Sequence, residues 1–131
     1  MRNSIATEKS FSSAFKIKLE KDEIVRAWVK DHAVVDLNSA KKITETLLKI
    51  TPDASRPVMI NLGKINYITK EARDYFKDEK RKPSAPSIAL IAKTTLSTFI
   101  GNFYLGLNRP KIPTRLFTDE TSAIKWLKKF L

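Results

Sequence analysis

Few side chains in this sequence could carry out catalysis. His32 is the single histidine and there is no cysteine, so clustered His or Cys metal ligands are ruled out and a Ser-His-Asp relay would depend on this one residue. Acidic residues pair at Asp22-Glu23, Asp78-Glu79 and Asp119-Glu120, but sequence neighbours point apart and cannot be assumed to share a proton. We therefore expect a protein that is not an enzyme and that needs no cofactor or metal.

The glycines do not form a nucleotide-binding loop. Gly101 and Gly106 have the spacing of a phosphate-binding loop, but Leu107 and Asn108 stand where Lys and Ser or Thr are required. The pair also lies inside a predicted helix. We expect no nucleotide site there.

Charge is the strongest signal in the composition. The 131 residues carry 25 basic and 14 acidic side chains, a net charge of +11, and residues 80–131 hold 10 of the basic and only 2 of the acidic ones. Such asymmetry favours an anionic partner, although a lysine-rich surface can also serve solubility alone. The candidate side chains for binding nucleic acid or anionic lipid are Lys80, Arg81, Lys82, Arg109, Lys111 and Arg115. The sequence does not say whether they converge.

The composition also suggests a location. The absence of cysteine and of a charged-then-apolar leader favours a cytoplasmic protein. The longest uncharged run, residues 94–108, falls short of the roughly 20 apolar residues that span a bilayer, so no transmembrane segment is expected. Self-association is left open.

The apolar pattern indicates one domain over residues 14–131, preceded by a flexible N-terminal arm over 1–13. Phe15, Ile17 and Leu19 alternate with charged residues, "KDE" makes a turn, and "IVRAWV" follows as a second strand. This alternation predicts an opening hairpin.

Strands and helices alternate after the hairpin. Asp36, Thr69 and Asp119 can cap three helices at their N-termini, and the apolar runs "PVMINL" and "SIALIA" are typical of strands covered on both faces. The predicted order is ββαβαβαβα. It implies an α/β fold with a mostly parallel sheet and right-handed crossovers.

The third predicted helix has an unusual surface. Its apolar stripe consists of Leu96, Phe99, Ile100, Phe103, Tyr104 and Leu107. The opposite face is uncharged and consists of Thr95, Thr98, Gly101, Asn102 and Leu105. This face predicts either a partner contact or an exposed side that is merely small and polar.

The element order and the segment "VMINLGKINYITKEA" resemble STAS domains, the SpoIIAA-like fold of the anti-sigma-factor antagonists, over about residues 14–131. The strings "ITKEARDYF", "IGNF", "KIPTRLFTDE" and "AIKWL" are similar to uncharacterised bacterial proteins labelled STAS or SEC14-like. The second label implies a lipid inside the fold, which would need a cavity that the sequence neither shows nor excludes.

The resemblance also implies a site. The antagonists carry Asp-Ser-Ser-Gly at the turn into the second helix, and phosphorylation of the second Ser switches partner binding. Thr69, Lys70, Glu71 and Ala72 occupy these positions here, so the phosphoacceptor is absent. Glu71 could imitate part of a phosphate's charge, or Thr69 and Glu71 could simply cap the helix in a protein that has lost the switch. Thr69 as a phosphoacceptor is disfavoured because a capping hydroxyl is already engaged.

These observations predict a regulatory or protein-binding module with an unidentified protein partner. The resemblance places the partner-binding surface at the turn and the start of the second helix, with Lys64, Asn66, Tyr67, Thr69, Lys70, Glu71 and Arg73. The alternative is a binder of anionic lipid or nucleic acid that uses the basic C-terminal half.

Overall fold

The computed structural model describes residues 9–11, 14–78, 85–108 and 112–131. The strands are β1 (Lys9–Phe11), β2 (Phe15–Leu19), β3 (Val25–Val29), β4 (Val34–Val35), β5 (Val58–Asn61), β6 (Tyr67–Ile68), β7 (Ile88–Ile91) and β8 (Thr114–Phe117). The helices are α1 (Leu37–Ile50), α2 (Lys70–Phe76), α3 (Thr95–Asn108) and α4 (Glu120–Leu127), and a 3-10 turn over Lys128–Phe130 follows α4.

Six strands form the main sheet in the order β1-β2-β3-β5-β7-β8. Strands β1, β2 and β3 are antiparallel neighbours, whereas β3, β5, β7 and β8 run parallel. The predicted α/β fold with an opening hairpin and a mostly parallel sheet is confirmed.

Two features go beyond the predicted order. Strand β1 falls within the predicted arm and extends the hairpin as a third antiparallel strand, while residues 1–8 and 12–13 lie outside the described part of the chain. Strands β4 and β6 form a separate parallel pair of two residues each. Strands this short carry too little alternation to be recognised from sequence.

The sheet separates two apolar layers because successive strand residues point to opposite faces. Along β7, Ile88 and Leu90 belong to the larger cluster, which α1, α2 and α3 cover, whereas Ala89 and Ile91 belong to the smaller cluster beneath α4. We call the face with the larger cluster the open side of the sheet and the face with the smaller cluster the closed side. Both faces of β7 are buried, as the apolar run "SIALIA" predicts.

The three predicted helix caps are confirmed. Asp36 Oδ1 accepts a hydrogen bond from Ser39 N at 2.8 Å, Thr69 Oγ1 from Ala72 N at 3.2 Å, and Asp119 Oδ1 from Ser122 N at 2.7 Å. Each cap satisfies a backbone N–H that has no partner inside its helix. The backbone hydrogen bond lowers the pKa of the Asp36 and Asp119 carboxyls.

The orientation of α3 differs from the prediction. Ser97 and Gly101, one turn apart, are buried, whereas two members of the predicted apolar stripe, Leu96 and Phe99, are 42% and 68% exposed. A Cβ on Gly101 would lie 2.7 Å from Leu116 Cδ1, so the missing side chain lets α3 approach β8 closely. The apolar spacing identified a helix, but small residues determine which side of it meets the sheet.

The predicted uncharged face of α3 is therefore divided. Thr95 and Asn102 are exposed, Thr98 and Leu105 are half-buried, and Gly101 is buried. The side chains of Phe103, Tyr104 and Leu107 lie outside the described residues. The exposed start of α3 is consequently more apolar than the sequence predicted.

Candidate functional site

The turn that leads from β5 towards α2 is held by its own polar groups. Asn61 Oδ1 accepts a hydrogen bond from Gly63 N at 2.9 Å. Gly63 has a φ of +53°, and a Cβ there would lie 3.2 Å from the carbonyl oxygen of Val29. This left-handed conformation and the close backbone approach both favour glycine.

Strand β4 fixes the rest of the turn. Val34 pairs with Tyr67 and Val35 with Ile68, and Asn66 N donates to Ala33 O at 2.9 Å. Thr69 N donates to Val35 O at 3.0 Å, directly before α2 begins. The backbone of this segment is therefore anchored on both sides of β6.

The predicted partner-binding residues, which we call the turn surface, lie along this anchored segment. Five of them are exposed and two, Thr69 and Arg73, are half-buried; the exposed ones are Lys64, Asn66, Tyr67, Lys70 and Glu71. Thr69 caps α2, and Glu71 lies in the first helical turn. The alanine that follows Glu71, Ala72, is fully buried, so only the residues around it can face a partner.

Direct contacts join the aromatic and basic members of the turn surface. Arg73 Cζ lies 5.7 Å from the centre of the Tyr67 ring, and Arg73 Nη1 donates to Ile68 O at 2.6 Å and to Tyr67 Oη at 3.4 Å. The ring and the guanidinium thus support each other while Tyr67 remains 50% exposed. The Lys70 ammonium binds Asp74 at 2.9 Å, and this contact raises the pKa of Lys70 and lowers that of Asp74.

A cavity of about 380 Å³ adjoins the turn surface on the open side of the sheet. It lies between α2 and α3 above β3, β5 and β7, and its apolar walls include Ala27, Ile60, Phe76, Leu90, Leu96 and Phe99. Tyr67 and Arg73 also line it, so the cavity and the turn surface share an edge. The sequence could not show this cavity because it depends on how α3 turns against the sheet.

Two of the three acidic pairs, Asp22-Glu23 and Asp119-Glu120, make structural contacts. Asp22 Oδ1 and Oδ2 each accept from the Arg26 guanidinium at 2.8 Å, and Glu23 forms an ion pair with Arg56. Asp119 caps α4. Glu79 lies outside the described residues.

Glu120 joins the closed side to the turn. Its Oε2 accepts from Trp28 Nε1 at 2.9 Å and from Asn61 Nδ2 at 2.7 Å. Sequence reasoning did not find this cluster, because the three residues come from β3, β5 and α4 and share no local motif.

The described part of the chain also contains His32 and allows a search for metal-binding groups and membrane-spanning helices. His32 is exposed in a turn with a φ of +63°. Among the described residues, there is no group of three or more His, Asp or Glu residues that could hold a metal ion. Over the same residues, no helix is long and apolar enough to cross a membrane.

One of the six basic candidates for polyanion binding, Arg115, lies in the described part of the chain. Arg115 is exposed on β8, and its guanidinium lies 5.3 Å from the centre of the Phe117 ring. Lys80, Arg81, Lys82, Arg109 and Lys111 lie outside the described residues. Their convergence into one polyanion-binding patch stays a prediction.

A comparison with known protein families identifies the family of this chain. The family model described as "Domain of unknown function (DUF7793)" matches residues 17–131. The chain belongs to this family. A search of curated proteins gave no match for this DUF7793 chain.

Solved structures identify the fold of this DUF7793 member. It is similar to the crystal structure of an uncharacterised DUF3478-family protein with a SpoIIAA-like fold from Shewanella loihica PV-4, with a TM-score of 0.61 and 16% identity over 90% of this chain and 99% of that one. The predicted SpoIIAA-like fold is therefore confirmed. At this identity the similarity establishes the fold alone.

A second match is to a protein with unknown function from Arthrobacter sp. FB24. It is 23% identical over 90% of this chain and 94% of that one, with a TM-score of 0.32. We draw nothing about the fold from this match.

Proposed function

We propose that this DUF7793 protein is a non-enzymatic regulatory module that binds a protein partner through the turn surface. The observation that carries the proposal is the pairing of Tyr67 with Arg73 on an anchored segment. Tyr and Arg are among the residue types that dominate binding energy at protein interfaces. Here an exposed ring is already held in place by its neighbour.

Anchoring supports the proposal because binding then orders little backbone. The hydrogen bonds of Asn66 and Thr69 to the β4 segment hold both ends of β6, and Thr69 fixes the first turn of α2. A preorganised surface loses less conformational entropy on association than a flexible one.

Glu71 gives the surface a permanent negative charge. It is exposed in the first turn of α2, where the helix dipole favours an anion. A carboxylate supplies part of the charge of a phosphoserine. We propose that the partner binds without phosphorylation of this chain.

The test is capture of the partner from a lysate of the source organism at low and high salt, followed by affinity measurement with the purified partner. Wild type is compared with Glu71→Arg, and Glu45→Arg is the matched control because Glu45 is exposed on α1 outside the turn surface. We expect the Kd to rise at least about tenfold for Glu71→Arg, which is about 1.4 kcal/mol, and to change little for Glu45→Arg. Thermal unfolding verifies that both variants fold.

Equal affinity for the two variants would contradict the use of the turn surface. Capture of only nucleic acid or anionic lipid, equally by all variants and only at low salt, would instead favour the basic C-terminal half, because phosphate contacts weaken steeply with salt.

A further inference from the structure

We propose that the cavity between α2 and α3 binds a slender apolar molecule that ends in a carboxylate. The apolar body would lie above β3, β5 and β7, and the carboxylate would face Arg73. This inference rests on the cavity and does not depend on the proposed protein partner.

The size of the cavity argues for a ligand. Protein interiors are close-packed and contain few voids larger than a water molecule, whereas this cavity measures about 380 Å³. Binding pockets for small molecules measure about 300–1,000 Å³ and are mostly apolar with a few polar groups. The cavity therefore has the size and the apolar character of a small-molecule binding pocket.

The lining argues for an apolar body. Ala27, Ile60 and Leu90 form the sheet side of the cavity, and ordered water needs polar partners that such side chains do not offer. Leu96 and Phe99 line the same cavity from α3 but are 42% and 68% exposed. A bound apolar chain would cover these two side chains.

The charge at the edge argues for a carboxylate. Among the described residues that line the cavity, Arg73 carries the one formal charge and Tyr67 the one side-chain hydroxyl. A guanidinium stays protonated at ordinary pH, and its planar fork of donors matches a carboxylate. Arg73 is also positioned by Ile68 O and by the Tyr67 ring, so its charge is held at the edge of the apolar space.

The test is calorimetric titration of the purified protein with dodecanoate and with 1-dodecanol, below the concentrations at which either forms aggregates. Both probes have the same chain, and only dodecanoate has the carboxylate. We expect dodecanoate to bind at least about tenfold more tightly than the alcohol. Arg73→Met is expected to abolish that preference, while Arg115→Met, the same substitution at an exposed arginine outside the lining, should keep it.

Two further variants test the location. Ile60→Trp should fill the cavity from the sheet and remove binding of both probes. Phe99→Glu should weaken dodecanoate binding at least about tenfold, and because Phe99 is 68% exposed this variant should fold even if Ile60→Trp does not. The Glu71→Arg variant should bind dodecanoate like wild type, which separates this test from that of the protein partner.

Failure of both probes to bind wild type would overturn the proposal. Equal affinity for dodecanoate and dodecanol would overturn the carboxylate, and dodecanoate binding that survives Phe99→Glu unchanged would overturn the location.

Discussion

The two sides of the sheet are built from the same strands but packed differently. On the closed side, Ile24, Met59, Ala89, Ile91, Ala123 and Leu127 are all fully buried beneath α4. On the open side, the same strands face a cavity of about 380 Å³, and side chains at its edge remain exposed. The strands cannot account for this difference, so it must come from the helices. We infer that the closed side mainly stabilises the domain, whereas the open side carries the proposed sites for a protein partner and an apolar ligand.

Side-chain contacts explain how α4 is held against the sheet. Glu120 ties the first turn of α4 to β3 and β5 through Trp28 and Asn61. At the other end of α4, the Trp126 ring packs against the rings of Phe117 and Phe130, with centres 5.7 Å and 5.0 Å away. Both ends of the helix are therefore held against the sheet.

On the open side, α3 contacts the sheet mainly at its edge. Gly101 brings the helix close to Leu116 on β8, and Ser97 is buried in a hydrogen-bonded turn with Thr94. Leu96 and Phe99 are left facing the cavity. Close contact at the edge strand thus leaves space above the middle of the sheet.

The largest expected contrast between the sides is in stability. Leu127 is fully buried on the closed side, and Leu127→Ala should lower the free energy of unfolding by about 2–5 kcal/mol because it leaves a cavity. Phe99→Ala on the open side should change it by no more than about 0.5 kcal/mol, as is usual for exposed positions. Urea denaturation of both variants measures the contrast, and similar losses would remove the distinction between the two sides.

The next effect concerns the attachment of α4. Glu120→Ala leaves Trp28 Nε1 and Asn61 Nδ2 without the acceptor they share, and we expect a loss of about 1–3 kcal/mol in unfolding free energy. Glu120→Gln keeps an acceptor oxygen and should lose less. The two variants are compared by chemical denaturation. Equal losses of unfolding free energy would show that the shared acceptor does not stabilise the attachment of α4.

A smaller effect is expected at the cap of α2, which supports the turn surface. Thr69→Ala removes the acceptor for Ala72 N and should cost about 1 kcal/mol. Thr69→Ser retains the hydroxyl and is the control. Thermal unfolding of the two variants measures the difference, and no difference would mean that the cap contributes nothing here.

The smallest effect is a pH dependence that arises away from both proposed binding sites. The hydrogen bonds from Arg26 lower the pKa of Asp22 below its ordinary value of 3.8. Since the folded state keeps this carboxylate ionised to lower pH than the unfolded state, the stabilisation is present above about pH 4 and is lost as the pH falls through the folded-state pKa. Solvent screening of this partly exposed pair limits the contribution to less than about 1 kcal/mol.

Asp22→Asn tests this effect. It should reduce the unfolding free energy slightly at pH 7 and flatten its decline below pH 4. Denaturation curves at pH 7 and pH 3 provide the measurement, and an unchanged decline in the variant would show that other carboxyls are responsible.

Local chemistry made most of the fold predictable. The caps Asp36, Thr69 and Asp119 act within three residues of themselves, and the alternation of Phe15, Ile17 and Leu19 reports directly on one buried face. Such signals depend only on residues that are close together in the sequence, so they can be recognised before the fold is known.

The candidate site was only half predictable, because only part of it depends on such local signals. The turn surface follows one continuous segment, so a sequence resemblance could suggest it, and its role in binding stays a prediction. The Glu120 cluster joins residues up to 92 positions apart, and the cavity depends on Gly101 meeting Leu116 across the fold. Contacts of this kind depend on the packed geometry and leave no periodic pattern in the sequence.

We propose that a protein partner binds on the open side of the sheet, at the turn surface. The most direct test is amide hydrogen exchange, followed by mass spectrometry, of the protein alone and with its captured protein partner. We predict that the partner slows exchange over residues 64–76 and leaves residues 120–127 of α4 unchanged. Protection confined to α4, or to the basic region around residues 109–115, would contradict the claim.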